Sequence, residues 1–464
     1  MLVAGATPVV AQRPLPPDSL VRAITRQRVD ERRNVGIAVG LIDADGRTRS
    51  FAYGRGAGDA PLDEHSLFEI GSITKTFTGA ILADMVAKGS VRLDQPVGEL
   101  LPAGTVIPSR GGRQITLADL ATHTSGLPRL PGNLEPRDQA NPYADYDGKR
   151  LLDFLARYQL PRDIGAQYEY SNLGVGLLGY ALAAKAGMTY EQLVTDRILR
   201  PLGMRETASL LSPELRRRLA PGHGPDGLPV RNWELDALAG AGSLRSSVHD
   251  MLRYVAANID PRASQLGPAL VATHAKRFQT AQPNVSIGLT WNRVVAPSGD
   301  TLLIHNGGTA GYLTFVGFDP RRRVGVVVLS NSAVSVDDIG LHLLDQRIPL
   351  TKAPAVRKEI ALSADALQRF VGEYPLAPNF VITITRTGDK LFAQATGQPQ
   401  FALFAEAEAK FFFKVVDAQL EFETDATGNV TAVVLVQNGA RQRAPKRGTG
   451  STMRVPGAGG SGNP

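Results

Sequence analysis

A chain of 464 residues, 43% hydrophobic and 20% charged, is long enough to bury a large core and to form two domains. Its formal net charge of +7 is spread thinly, because Arg216-Arg217-Arg218 and Arg321-Arg322-Arg323 sit apart beside turns. That pattern reads as solvated surface, so no nucleic acid is expected as a partner. Cysteine is absent, which excludes disulfides, thiolate chemistry and Cys-ligated metal, and no apolar run reaches the roughly eighteen residues of a membrane span.

Residues 1–19 read as a partial signal peptide or a disordered start. Met1 to Ala11, MLVAGATPVVA, is apolar and ends on Val9-Val10-Ala11, which resembles a small-residue cleavage site, although no basic segment precedes it. A periplasmic or secreted protein is expected on that reading. Leu20 to Arg28 has a helical pattern. Val35 to Ile42 and Arg49 to Tyr53 read as two strands of a hairpin around Asp43-Ala44-Asp45-Gly46. Helical patterns follow at about 73–88, 116–123, 149–158, 172–186 and 189–199. Strand patterns return at Thr301 to His305, Leu313 to Asp319 and Val324 to Ser330, the last two flanking the turn Pro320-Arg321-Arg322-Arg323. Ser335 to Leu344 reads as a helix, with Ser335 as its N-cap and Asp337 and Asp338 in its first turn. Strands therefore come first and last, and helices fill the middle. Residues 20–350 are predicted to form an α/β domain whose antiparallel sheet pairs its terminal elements around an inserted helical cluster.

Residues 351–369 read as a linker and lead-in. From Phe370 onward short strand patterns recur at Phe380 to Arg386, Lys390 to Ala395, Phe401 to Phe404, Lys410 to Val415, Gln419 to Thr424 and Val430 to Gln437. Gly388, Gly397 and Gly428 punctuate them. Residues 370–446 are thus expected to be a small all-β domain, sandwich or barrel. Residues 447–464, rich in Gly, Ser and Pro, read as a disordered tail.

The chemistry is concentrated in FEIGSITKTFTGAILADMVAKG, Phe68 to Gly89. Ser72 opens the helix as an N-cap would, but Lys75 is a cation placed at the positive end of that helix. Residues three apart share a helix face, so Lys75 could take the proton of the Ser72 hydroxyl if burial lowers its pKa. The helix start also offers backbone N–H groups to an oxyanion. Two further elements have suitable chemistry. Tyr170-Ser171-Asn172 precedes a helix and supplies a phenol and an amide. His305-Asn306-Gly307-Gly308 ends a strand whose glycines let substrate lie against the backbone. No close histidine pairing of the metal-ligand kind occurs among His65, His123, His223, His249, His274, His305 and His342, so no metal site is expected. His123, in THTSGLP, reads as a structural loop residue.

With Ser72-x-x-Lys75, Tyr170-x-Asn172 and His305-x-Gly307 in this order, the chain resembles the class C β-lactamases and the wider penicillin-recognising serine hydrolases. SLFEIGSITKTFTGAILADMVAKGSVRLDQPV, ITLADLATHTSGLP, YEYSNLGVGLLGYAL, AGAGSLRSSVHDMLRY and HNGGTAGYLTFVGF support the resemblance, which covers about Leu20 to Leu350. The β module resembles the accessory domain of some relatives. The resemblance implies a β-lactamase-like fold, with a central antiparallel sheet flanked by helices and an all-helical region. It further implies that Ser72 is the acylated nucleophile, Lys75 and Tyr170 the proton-shuttling pair, and Asn172 a hydrogen-bond partner of Lys75 or of a substrate amide. The N–H groups of Ser72 and Gly308 would form the oxyanion hole, with Asn306 and Gly307 beside the substrate. Which residue is the formal base stays open.

The third motif departs from the Lys-Thr-Gly of class C β-lactamases. His305 would stand where that lysine anchors a substrate carboxylate, so its charge is expected to control substrate choice. The expected activity is an acyl-enzyme hydrolase of esters or D-amino-acid peptides. A true β-lactamase and a binding or sensor protein that does not turn over are the alternatives. No cofactor is expected, the partner is a small-molecule or peptide substrate, and the oligomeric state is left open.

Overall fold

The computed structural model describes residues 13–447 except 353–356, 378–379, 397–399, 415, 417 and 438–439. Of the expected leader 1–19, residues 1–12 lie outside the described residues, as do 448–464 of the expected tail 447–464; the remainder differs from the expectation, because Arg13 pairs with Asp300 at 2.6 Å, Leu15 is buried, Asp18 opens a helix and Arg447 bonds Glu373. The chain divides into two units, residues 1–351 and 352–464.

The first unit is built on one eight-stranded antiparallel sheet. Its strands are β1 (Gly36–Ile42), β2 (Thr48–Gly54), β3 (Phe278–Gln279), β4 (Val285–Ile287), β5 (Asn292–Val295), β6 (Thr301–Gly308), β7 (Leu313–Asp319) and β8 (Val324–Ser330). Their order is β2-β1-β8-β7-β6-β5-β4-β3. The first long strand pairs with the last, Ile37 facing Ser330 and Ile42 facing Gly325. The helices that matter for the site and its support are α1 (Asp18–Asp30), α2 (Thr74–Ala87), α3 (Asn172–Ala186), α4 (Val248–Ile259) and α5 (Asp337–Leu344).

β1 and β8 read as continuous apolar runs because both faces of the sheet are covered. On one face Ile37, Val39, Leu41, Val326 and Val328 pack with Val21 and Ile24 of α1 and with Ile339 and Leu343 of α5. On the other, Ala38, Ile42, Val327 and Leu329 join the larger core with Met251 and Val255 of α4. α2 is buried on every side from Thr74 to Met85, and α3 is buried nearly all round. Such helices lie inside a domain rather than on it.

Two regions differ from the sequence expectation. α4, the helix Gly267–His274 and β3 to β5 carry no separate prediction. Val248, Met251, Leu252 and Val255 of α4 do have helical spacing, which the sequence reading passed over, whereas strands of two to four residues are too short to show alternation. The segment read as a linker also contains structure. Ser363 caps a short helix, Ala364–Gln368, Leu367 is buried, and the Ile360 N–H donates to the Ala405 carbonyl at 2.8 Å. Residues 360–369 therefore belong to the β module's core.

The second unit is an eight-stranded antiparallel meander from Gly372–Ala377 to Ala440–Pro445. Phe370, Tyr374, Phe411 and Phe422 interlock in its core at ring separations of 4.7 to 5.6 Å. The Arg447 N–H donates to the Glu373 carbonyl at 2.8 Å, which returns the end of the meander to its first strand and makes the module barrel-like.

Candidate active site

Ser72 lies in a 3₁₀ turn, Gly71–Ile73, that leads into α2. The N-cap position is Ile73, so Ser72 does not cap the helix as expected. Its hydroxyl is left for Lys75, whose Nζ lies 2.9 Å from Ser72 Oγ and 2.7 Å from the Ala241 carbonyl oxygen. Lys75 is 0% exposed, and among the described residues no carboxylate pairs with it. Burial, helped by the charge of Arg129, pushes its pKa well below the usual 10.5. A neutral amine has two N–H donors and one lone pair. Nζ donates to the Ala241 carbonyl, and in its neutral form it would keep a lone pair for the Ser72 O–H.

The Tyr170 ring lies under the same nitrogen, 4.9 Å from Nζ to the ring centroid. Burial raises the phenol's pKa above its usual 10, opposed by a side-chain hydrogen bond with Ser72 and by Arg129. Backbone bonds hold this segment in place. His123 adopts φ 58°, its ring stacks 4.6 Å from that of Tyr170, and its Nδ1 accepts the Ser171 N–H at 3.1 Å. Ser171 Oγ donates to the Pro128 carbonyl at 2.6 Å and accepts the Gly174 N–H at 2.8 Å, so Ser171 is the cap of α3. The Arg129 carbonyl accepts the N–H groups of Asn172 and Leu173 at 3.0 and 3.2 Å. His123 is thus a positioning residue for the Tyr170 segment. Asn172 makes no bond to Lys75, and its buried Oδ1 has no partner among the described residues.

β6 brings in the third motif, and two expectations fail there. The strand alternates, so His305 and Gly307 face the buried side, toward Lys75 and the turn that carries Ser72, while Asn306 faces away. Asn306 is exposed and donates to Asp337 Oδ2 at 2.8 Å at the start of α5, which removes its side chain from the substrate side. His305 is 1% exposed, and its Nδ1–H donates to the Asn306 carbonyl at 2.7 Å. Burial, then the charge of Lys75, pushes its pKa down to about 3. His305 is therefore a neutral side chain and presents no cation to a carboxylate. Its Nε2 is a buried acceptor without a partner among the described residues.

Two glycines let the turn that carries Ser72 seat against this strand. A Cβ on Gly307 would meet the Ile70 carbonyl oxygen at 1.9 Å, and one on Gly71 would meet the Gly308 nitrogen at 2.7 Å. Gly71 also adopts φ +49°, a conformation natural to glycine. The close seating places Ser72 and Gly308 on one cleft, whose wall includes Asn172, Tyr143, Trp233 and Thr309. Tyr143 and Trp233 meet edge to face at 5.2 Å.

A buried ion pair fixes this wall, and sequence reading missed it. Arg245 donates to Glu69 Oε1 at 3.1 Å and to the Ser209 carbonyl at 2.6 Å, and it also bonds the Trp233 carbonyl. Glu69 Oε1 accepts the Trp233 N–H at 3.0 Å as well. Burial raises the Glu69 carboxyl above its usual range despite the arginine. The partners lie 176 residues apart, so no local pattern reveals them. Arg129 was also missed as an individual residue. Its guanidinium carbon lies 5.0 Å from the Tyr170 ring centroid. A third spatial cluster, His65, Glu206 and His249, brings ligand-type atoms within 4.8 Å of one another. Glu206 there is already engaged by Arg218 at 2.8 Å and by the Ser247 hydroxyl at 2.6 Å.

A buried lysine beside a half-buried serine and over the ring of a tyrosine, set between a helical cluster and a strand of an antiparallel sheet, has the chemistry of a serine hydrolase of the β-lactamase-related kind. The model of the Beta-lactamase family matches residues 21–347, and the chain belongs to that family. Residues 356–445 match a family described as Domain of unknown function (DUF3471). The chain is 31% identical over 308 residues to the D-alanyl-D-alanine-carboxypeptidase/endopeptidase AmpH of Escherichia coli (strain K12), covering 63% of this chain and 78% of that one. It is 26% identical over 424 residues to Penicillin-binding protein 4* of Bacillus subtilis (strain 168), covering 85% and 91%. A solved beta-lactamase/D-alanine carboxypeptidase from Pseudomonas syringae superposes with a TM-score of 0.61 at 23% identity, covering 72% of this chain and 99% of that one.

Proposed function

We propose that the chain hydrolyses ester or amide bonds through an acyl-enzyme on Ser72, with Lys75 as the base and Tyr170 as the phenol that relays protons. The observation that carries this is the 2.9 Å approach of a fully buried lysine without an acid partner to the serine hydroxyl. Burial acts on both groups of the pair with opposite chemical results. It favours the neutral amine, which is a base, and the neutral phenol, which is an acid.

In the proposed acylation Ser72 O–H gives its proton to Lys75 Nζ as Oγ bonds the substrate carbonyl carbon. The N–H groups of Ser72 and Gly308 receive the negative charge on the carbonyl oxygen. Tyr170 donates its proton to the leaving amine or alkoxide as that bond breaks, and Lys75 returns a proton to Tyr170. Water then repeats the sequence on the acyl carbon, and Ser72 regains its hydrogen. Asn172 Oδ1 is an acceptor for a substrate amide N–H.

Esters or D-amino-acid peptides are favoured over β-lactams as main substrates, because the third motif holds a neutral histidine instead of a lysine. Action in the periplasm or outside the cell belongs to the same proposal and rests on the apolar Met1–Ala11 start. Ser72→Ala should abolish turnover of p-nitrophenyl esters and labelling by a fluorophosphonate. Mass spectrometry showing the adduct on another residue would refute the assignment.

A further inference from the structure

The acid of the cleft wall, Glu69, is already paired with Arg245, whereas Arg129 is an exposed cation beside Tyr170, at the border of the cleft. Its guanidinium stands over the outer part of Tyr170 at 5.0 Å, while Lys75 stands over the same ring at 4.9 Å. Among the described residues no carboxylate lies within ion-pairing range of it. Its charge acts on Lys75, His123, Tyr143, Tyr168 and Tyr170, and of these Tyr143 lines the cleft. The backbone of Arg129 is tied to the first turn of α3 through its carbonyl, which leaves the side chain mounted on the same rigid segment as Tyr170. A cation there opposes protonation of Lys75, which helps the base, but that function does not need a guanidinium at the cleft mouth. Unpaired guanidinium donors in a fixed fork match a carboxylate.

We propose that Arg129 is the anion-binding residue of this site: it recognises a carboxylate of the substrate, a function that the neutral His305 cannot perform. The inference rests on the serine-hydrolase reading above and deepens it. The substrate class is then an ester or amide that carries a free carboxylate near the scissile bond, on the side of the cleft where Tyr170 lies.

The test uses two pairs of substrates, each an acid and its methyl ester: 4-nitrophenyl hydrogen glutarate, with the carboxylate on the acyl side, and 4-acetoxybenzoate, with the carboxylate on the leaving group. For at least one pair the acid should be preferred in kcat/KM, and the acid-to-ester ratio should fall on the order of tenfold to hundredfold in Arg129→Ala. The change should lie chiefly in KM, shrink at high salt, and be partly restored in Arg129→Lys. Arg129→Glu should invert the preference. A ratio unchanged in both pairs, with acid and ester rates falling together, would show that Arg129 only tunes Lys75 and Tyr170, and would overturn the proposal. A second readout needs no turnover. In a Ser72→Ala background, calorimetry should show acid binding more tightly than ester, and the difference should vanish with Arg129→Ala; equal affinities of acid and ester in the presence of Arg129 would overturn it. Product formation by Ser72→Ala would instead reject the nucleophile, while the affinity difference would still report on Arg129.

Discussion

The cleft has two buried basic side chains, and they are treated in opposite ways. In the wall, Arg245 is paired with Glu69, and both also bond backbone groups around Trp233. On the floor, the hydrogen-bond partners of Lys75 among the described residues are a hydroxyl and a carbonyl, with no acid beside them. A paired buried charge is satisfied and holds a segment in place. An unpaired one can escape its desolvation cost only by giving up its proton, which makes it a base. The comparison suggests that burial without a partner is what turns an ordinary lysine into the reactive group here.

The largest expected effect is on rate. Lys75→Ala and Tyr170→Phe should each slow Ser72 acylation by about 10²–10⁴, measured in single turnover, whereas a residue of the wall should mainly affect stability. Near-normal acylation in either variant would remove that residue from the proton path.

The second effect has opposite signs at the two cations. Glu69→Gln breaks a buried pair and should destabilise the first unit by roughly 3–5 kcal/mol in denaturant unfolding. Lys75→Met should do the reverse. Between the lowered folded pKa and the unfolded 10.5, the unfolded chain binds a proton that the folded chain does not, so folding there works against protonation. At a given pH, removing the amine relieves about 1.4 kcal/mol for each unit of that depression lying above the working pH, giving an inactive but more stable protein at neutral pH. A destabilised Lys75→Met would contradict the comparison.

A third effect separates neutral buried groups from charged ones. His123, His274 and His305 have pKa values lowered by burial, the last two to about 4 and about 3. The unfolded chain takes up these protons near pH 6.5 and the folded chain only far below it. Stability should therefore fall as pH drops below about 6.5, by about 1.4 kcal/mol per pH unit for each histidine, and His305→Gln should remove one such share. Unfolding midpoints measured from pH 7 to 4 test this; an unchanged slope in the variant would place His305 outside the buried set.

The smallest effect is expected at Asn306. Because its side chain points to Asp337 and solvent, Asn306→Ala should alter kcat/KM by no more than about twofold.

The ease of reading these features from sequence follows their range. Ser72 and Lys75 are three apart, and Tyr170 and Asn172 flank a capped helix start, so local spacing exposes them. The terminal strands were legible because β1 and β8 are buried on both faces. Ser171, between Tyr170 and Asn172, is the residue whose hydroxyl caps α3. Strand parity decides that Asn306 faces away, and parity depends on where β6 begins its pairing, which the run Thr301 to Gly308 alone does not reveal. Glu69 with Arg245, and Arg129 over Tyr170, are contacts between distant segments. Their charge pattern in the chain resembles that of any surface residue.

The central claim is that Lys75 is neutral and accepts the Ser72 proton. The chain has no cysteine, so a single Cys placed at position 75 can be alkylated in the unfolded state with bromoethylamine and refolded to give a thioether lysine analogue of lower intrinsic basicity. Single-turnover acylation by a neutral aryl ester would then be followed against pH. The account predicts an ascending limb well below the ordinary lysine range of 10.5 in the natural protein, and a limb displaced to lower pH with the analogue. A limb that stays in place with the analogue but disappears in Tyr170→Phe would contradict it and make the phenol the base.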